Sequence, residues 1–560
     1  MSSSSGAAPR AAGIVLATLA AGQFLMTLDS SVMNVSIATV AKDVGTTVTG
    51  IQTAITLYTL VMASLMITGG KFGEILGRKR AFGIGCVIYG CGSFITAISK
   101  SLAVLMFGWS FLEGVGAALI LPAIVALVAA NFDAAGRPRA YGLVASAGAI
   151  AVAAGPLIGG LFTTYASWRW VFVGEVLIVL AILAVGRRIT DAPPGTRPKL
   201  DLIGTALSAL GLGLVVFGIL KAGSWGFVTP KPNAPTVFGL SPAIWLMLGG
   251  GVVLWLFFRW ENHLIQTERE PLIDPSILLN RTLRSGLTGF GFQYLVQSGL
   301  FFAVPLFLSV SLGLSAIATG VRLLPLSITL LLAAAGIPKA FPDASPRRVV
   351  QLGFLSLFAG LVVMVGALDA GAGPEIVTWP MLLAGLGIGA LASQLGSVTV
   401  SAVPDEQSGA VGGLQNTVTN LGASIGTALS GAVLIAALTS SLMTGIQNNP
   451  RVPSDIKSKA KTQLASGVPF LSDKDLQAAL NQAGVPNASA DEIVKENSSA
   501  RLAALRASLS VIAVIALVAL FFSLGLPAQQ PSAQAREGPA EDDSAPRSPR
   551  ARASGPSVRA

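Results

Sequence analysis

Apolar residues in this chain gather in long continuous runs, without the three-and-four spacing of a half-buried helix or the alternation of a half-buried strand. A helix needs about 20 such residues to cross a bilayer. Seven runs of that kind lie at Ala12 to Ile37, Ile51 to Gly70, Ala81 to Ile98, Leu102 to Ala129, Tyr141 to Phe162, Trp170 to Val185 and Leu202 to Leu220. Seven more lie at Pro242 to Phe258, Ser285 to Val310, Ile317 to Ile337, Val349 to Leu368, Ile376 to Val400, Ala410 to Leu438 and Leu502 to Leu526. The pattern predicts an all-α polytopic membrane protein with about 14 transmembrane helices. Two segments stand outside it. Residues 439–501 form a polar connection with helix-start signatures at Ser472 to Asp475 and Ser489 to Glu492, where a hydroxyl precedes an acid by three positions. Residues 527–560 are rich in Pro, Ser, Ala and Arg, the composition of a disordered tail.

Composition narrows the class. Of 560 residues, 52% are hydrophobic and 11% charged, whereas soluble domains carry about 25% charged residues. The net charge of +10 is a matter of topology once its positions are read. Lys71, Arg78, Lys79, Arg80, Arg137, Arg139, Arg187 and Arg188 fall in connections on one side. The short connections on the other side hold only Lys42, Lys100, Arg169, Lys221 and Lys231. By the positive-inside rule this places both termini in the cytoplasm of a cell bounded by a plasma (inner) membrane, with no role for nucleic acid. One His (His263) and two Cys (Cys86, Cys91) supply neither a metal site nor a disulfide framework. The chain has no G-x-x-x-x-G-K-S/T phosphate loop, since Gly70-Lys71 is followed by Phe72. Neither an ATP-driven pump nor an enzyme is expected, and no cofactor.

Four motifs carry a family resemblance. Between the second and third runs stands Gly69-Gly70-Lys71-Phe72-Gly73-Glu74-Ile75-Leu76-Gly77-Arg78-Lys79-Arg80. The fifth run contains Gly148, Gly155, Pro156, Gly159 and Gly160, small residues at spacings that let a second helix approach closely. The first run holds Leu28-Asp29-Ser30-Ser31-Val32-Met33-Asn34-Val35, and Trp168-Arg169-Trp170-Val171-Phe172 opens the sixth. These resemble, in turn, the signature loop of the major facilitator superfamily, the antiporter motif of its exporters, and two signatures of its fourteen-helix drug:proton antiporters. Glu74 replaces the usual Asp and Phe72 the usual Leu.

The resemblance implies two six-helix bundles, residues 12–185 and 285–526, with a linker region 186–284 holding two additional helices and a short N-terminal segment, 1–11. It implies that Gly70, Glu74, Gly77 and Arg78 latch the bundles, with Glu74 near the start of the thirteenth helix and Arg78 near Asp133. It also implies export of amphipathic or cationic small molecules in exchange for protons. One departure matters: where the family's fourth helix carries R-x-x-Q-G, this chain has Ser110-Phe111-Leu112-Glu113-Gly114, and Glu175 replaces an Asn after the W-R-W turn.

The chemistry then rests on few residues. A carboxylate at a helix centre costs about 2.5 to 3.5 kcal/mol on insertion scales, so it faces a cavity or a partner and marks a pathway. Glu113 lies roughly 16 Å into its helix, near mid-bilayer, and is the first choice for proton binding; Asp29 stands at the position that the resemblance assigns to coupling or cation recognition. Glu175 and Arg322 are read as shallower, either coupling groups or halves of structural ion pairs. Asn34, Tyr58, Phe290, Gln293, Tyr294, Gln297, Phe301, Asn416 and Asn420 form the candidate cargo pocket, sparse polar groups among aromatics. Hydrogen bonding between helices is the alternative for each. Partners are then lipid, protons and a small-molecule substrate, with the chain a monomer. Two rival functions stay open: a lipid or siderophore exporter on this fold, and a sensor or scaffold that has lost transport.

Overall fold

Helix is the conformation that satisfies every backbone donor and acceptor within one segment, which hydrocarbon demands. In the computed structural model all fourteen runs are helical. The described residues are 7–132, 137–187, 189–191, 200–231, 234–369, 371–403, 408–464 and 468–529. The spans are α1 (Gly13–Asp43), α2 (Val48–Leu76), α3 (Arg78–Ala97), α4 (Leu102–Val128), α5 (Gly142–Tyr165), α6 (Arg169–Gly186) and α7 (Leu202–Trp225). They continue as α8 (Pro242–Gln266), α9 (Arg281–Ser311), α10 (Ala316–Ala340), α11 (Pro346–Ala367), α12 (Pro374–Thr399), α13 (Val411–Asn448) and α14 (Asn487–Gly525). Apart from one isolated bridge between Val237 and Leu240, the described residues contain no β-structure.

Helix packing repeats with an offset of eight. In the first half α1 packs on α5, α2 on α4, and α3 on both α4 and α6; in the second, α9 packs on α13, α10 on α12, and α11 on both α12 and α14. The halves meet through α2 against α13 and, in the equivalent relation, α10 against α5. Helices α7 and α8 pack on each other, and α7 leans on α2 and α13, so one additional helix touches both halves. Thr68 of α2 and Thr205 of α7 share a hydrogen bond at 3.1 Å.

Glycine decides how closely α5 docks. A Cβ at Gly159 would lie 2.9 Å from the Val32 Cα of α1, and one at Gly155 would overlap Ser31. Gly160 instead faces the second half, where a Cβ would lie 2.7 Å from the Ala316 carbonyl oxygen of α10. Gly148 approaches Gln23 more loosely, at 3.3 Å. The turn between α2 and α3 is made by Gly77 at φ +97°, a backbone conformation that disfavours other residues.

The connection 439–501 is shorter than its sequence suggests. Helix α13 continues to Asn448 and α14 begins at Asn487, leaving two short helices, Ser454–Gln463 and Asp473–Gln482, between them. Ser472 caps the second as expected, its Oγ accepting the Asp475 N–H at 3.2 Å. Ser489 does not cap a separate helix. It is buried within the first turn of α14, in a region where Val468, Phe470 and Ile493 pack with Leu438, Leu442 and Ile446 of α13. The tail 530–560 lies outside the described residues.

Candidate functional site

Helix α4 is not a regular α-helix where it matters. Met106–Glu113 is a π-helical stretch, a local widening often found at functional sites, and it carries both Trp109 and Glu113 into the first half's interior. Four residues apart, these two side chains are fully buried. The Trp109 Nε1–H donates to both oxygens of Asp29 on α1, at 2.8 and 2.9 Å. Its indole lies flat against Tyr58 of α2, centroids 5.2 Å apart. Helix α3 supplies hydroxyls: Thr96 donates to Glu113 Oε1 at 3.1 Å, while Ser93 and Tyr89 donate to Glu175 Oε2 at 3.1 and 3.2 Å. Gly92 makes room for this, since a Cβ there would lie 2.7 Å from the Glu113 Cγ.

Asp29, Glu113 and Glu175 thus converge from α1, α4 and α6, one oxygen from each lying within 4.8 Å of the others. Their relative exposures are 0%, 0% and 1%. Two unit charges at that separation repel by about 3.5 kcal/mol even at an effective dielectric of about 20. Among the described residues no basic side chain pairs with any of the three. Among the described residues, Glu113 Oε2 and Glu175 Oε1 have no hydrogen-bond partner. A trio of this kind can hold protons, or receive a cation when its protons leave.

This corrects the shallow placement of Glu175. It sits in the same buried cluster as Glu113, and among the described residues it is not half of an ion pair. Arg322, half-buried on α10, forms no ion pair among the described residues and does not join the acids.

The gating residues divide. Gly70, Glu74 and Arg78 line a cavity of about 280 Å³ together with Gly413 and Leu414 of α13, which brings Glu74 to the start of that helix. Asp133 lies outside the described residues. The acid that meets the α2–α3 turn is Asp191, after α6, whose Oδ1 accepts the Lys79 backbone N–H at 3.2 Å. Lys71 bonds the Pro271 carbonyl of the α8–α9 connection, a segment that Glu261 also holds by accepting the N–H groups of Leu272 and Ile273 at 2.7 and 3.2 Å. The W-R-W turn is structural in form: Trp168 donates to Asp43 at 2.9 Å, Arg169 pairs with the same acid, and Arg169 Nη2 reaches the Ser99 carbonyl at 2.6 Å.

Cargo-pocket candidates also divide. Gln293 and Gln297 are buried on α9 with carbonyl oxygens unpartnered, and Phe290 is buried beside them. Asn34 and Phe301 line a small cavity with Pro156 and Ser327. Asn34 and Asn420 each donate to a carbonyl one turn back on their own helix, Ser30 at 2.9 Å and Asn416 at 2.8 Å, so neither bridges helices. Tyr294 is half-buried.

Trp109 and the α3 hydroxyls were missed by sequence reasoning, although Trp109 stands one helical turn before Glu113, the spacing of same-face neighbours. Gln52 was missed too. From α2 it donates to the Thr427 and Ala428 carbonyls of α13 at 3.1 and 3.3 Å. With Ser424 donating to the Thr56 carbonyl at 3.0 Å and the Ile317 N–H donating to Thr164 at 3.0 Å, it closes the halves at the end away from the α2–α3 turn.

Comparison with known proteins agrees with this architecture. The family model described as Major Facilitator Superfamily matches residues 19–427. A puromycin resistance protein of Streptomyces alboniger is 28% identical over 430 residues, covering 75% of this chain and 82% of its own length. A multidrug efflux pump of Mycolicibacterium smegmatis is 26% identical over 431 residues, covering 76% and 82%. Among solved structures, an inward-facing, unoccupied bacterial homologue of the human lysosomal transporter Spinster superposes with a TM-score of 0.59 at 14% identity, covering 94% of this chain and 98% of that one.

Proposed function

The chain belongs to the Major Facilitator Superfamily, and from that premise we propose that it exports amphipathic or cationic small molecules in exchange for protons by alternating access. The observation that carries this reading is the trio Asp29, Glu113 and Glu175, buried together without a basic partner. A buried acid cluster costs stability, and its retention in a transporter fold fits a site whose charge changes during the cycle. Release of a proton exposes negative charge to a cationic cargo, and a later proton displaces that cargo, so the two compete for one site. The relatives' descriptions as antibiotic resistance and efflux proteins support the direction and the cargo class. Gln293 and Gln297 on α9, whose side-chain carbonyl oxygens have no partner among the described residues, supply polar contacts from the opposite half.

The Lys- and Arg-rich α2–α3 side faces the cytoplasm in this reading, with both termini there, in the plasma membrane. The closure by Gln52 and Thr164 then lies on the outer face, as in an inward-facing or occluded state. The proton gradient is the energy source, with no cofactor, and a monomer suffices. A proton crossing about 100 mV supplies about 2.3 kcal/mol, and each pH unit adds about 1.4 kcal/mol.

The test is proton flux in proteoliposomes holding a trapped pH dye, with ethidium as cargo. Ethidium-dependent proton movement is expected, lost in Asp29→Asn and reduced in Glu113→Gln. No flux from the unaltered protein, or flux unchanged in both variants, overturns the reading.

A further inference from the structure

Building on the exchange reading above, we propose that the trio holds two exchangeable protons, on Glu113 and Glu175, around a standing carboxylate at Asp29, so that two protons enter for each cargo molecule exported. The hydrogen-bond pattern assigns the roles. Both Asp29 oxygens accept from the Trp109 N–H, at 2.8 and 2.9 Å, which is the acceptor-only pattern of an ionised carboxylate. Glu113 and Glu175 each have one oxygen that accepts, from Thr96 at 3.1 Å and from Ser93 and Tyr89 at 3.1 and 3.2 Å. Each has a second oxygen, Oε2 and Oε1 respectively, that is buried and bare. A neutral carboxyl needs one accepting oxygen and one hydroxyl, and the bare oxygen is where that hydroxyl sits. Left ionised, the same oxygens would be buried acceptors with no donor, beside a third negative charge.

The surroundings leave the trio no other source of neutrality. From α2 the site is faced by Tyr58, whose hydroxyl is buried, and from α3 by Tyr89, Ser93 and Thr96. Among the described residues none of the three acids has an ion pair with Lys, Arg or His. The two half-satisfied acids arrive on different helices, α4 and α6, so they are separate proton sites held against one common charge.

The charge balance of a cycle follows. Two O–H bonds break on the cytoplasmic side and two protons leave; the cargo enters; on the outer side two protons bind Glu113 and Glu175 and the cargo departs. With a monovalent cation one net positive charge moves inward, so an inside-negative potential drives export without a pH gradient. With a divalent cation the exchange is electroneutral.

Proteoliposomes under an imposed potassium-diffusion potential at equal pH test this, with ethidium as the monovalent probe and propidium as its divalent counterpart. An inside-negative potential of 59 mV is expected to shift the steady-state ethidium gradient about tenfold, while one pH unit shifts it about a hundredfold. The propidium gradient responds to pH and not to potential. Glu175→Gln removes the response of ethidium to potential and reduces the pH response to tenfold, and Glu175→Asp restores both. Ethidium export by the unaltered protein that ignores potential and follows pH tenfold per unit means one proton, and overturns the assignment while leaving proton exchange intact. Absence of coupled ethidium movement overturns the exchange reading itself.

Discussion

The two six-helix halves share one packing plan and differ in what they bury. In the first half α1, α4 and α6 bring three carboxyls together. The equivalent helices of the second half, α9, α12 and α14, place Gln293, Gln297, Gln394 and Ser508 in its interior, and among its described residues no carboxyl is buried. Amides and hydroxyls bond without changing charge over physiological pH, whereas carboxyls exchange protons. The difference separates two jobs on one scaffold. Under the proposed exchange, the first half carries the group whose charge changes, and the second offers polar contacts that stay the same throughout the cycle.

The sharpest way to break that division is Trp109→Phe, which keeps the ring against Tyr58 but removes the N–H that donates to both Asp29 oxygens. A buried carboxylate losing its donor costs about 1.5 to 3 kcal/mol. Ethidium export is therefore expected to fall 10- to 100-fold, whereas Gln293→Leu in the second half should raise KM a few-fold and leave the number of protons per cargo unaltered. Equal effects of the two substitutions on proton count would erase the distinction between the halves.

A smaller effect is expected where the halves meet. In Gly160→Val the new side chain is driven into the Ala316 and Ile317 backbone, with its Cβ 2.7 Å from both, and overpacking of this kind costs about 1 to 3 kcal/mol. Because the clash exists only when this end is closed, distances between spin labels on the α1–α2 and α9–α10 turns should shift toward a wider population. An unchanged distance distribution would mean that the closure does not depend on this contact.

The smallest effect belongs to the ion pair that ties α14 to the short helix Asp473–Gln482. Arg501 is 1% exposed, but its partner Asp473 is 47% exposed, the pair being 2.6 Å apart. Asp473→Asn keeps an oxygen to which the buried Arg501 can donate, so it should cost about 1 kcal/mol, lowering the thermal midpoint by about 4 °C or less with transport unaltered. A loss of proton coupling here would show that the outer segment does more than pack on α13 and α14.

Much of this was legible in residue order. Fourteen apolar runs became fourteen helices because hydrocarbon leaves the backbone no alternative, and the Gly77 turn and the α5 glycines act where their spacing placed them. Buried acids also announce themselves, since a charge in an apolar run is costly at any depth. Harder to read was depth and company. Glu175, near the start of its helix, was expected to be shallow, yet it reaches the centre because α6 packs on α3 beside α4. Asp191 accepts the Lys79 N–H at the α2–α3 turn through a chain connection that no local pattern encodes, while Asp133, which the resemblance places near Arg78, lies outside the described residues.

Sequence by itself therefore determined the membrane class, the helix count, the family and the identity of the three acids, all of which depend on local composition or short motifs. Only the tertiary structure decided that the acids form a single cluster, that Trp109 holds one of them and α3 hydroxyls the other two, and that none has a basic partner. Those are distances between helices far apart in the chain. They are set by how small residues let α1, α3, α4 and α6 approach, and hydropathy carries no record of that approach.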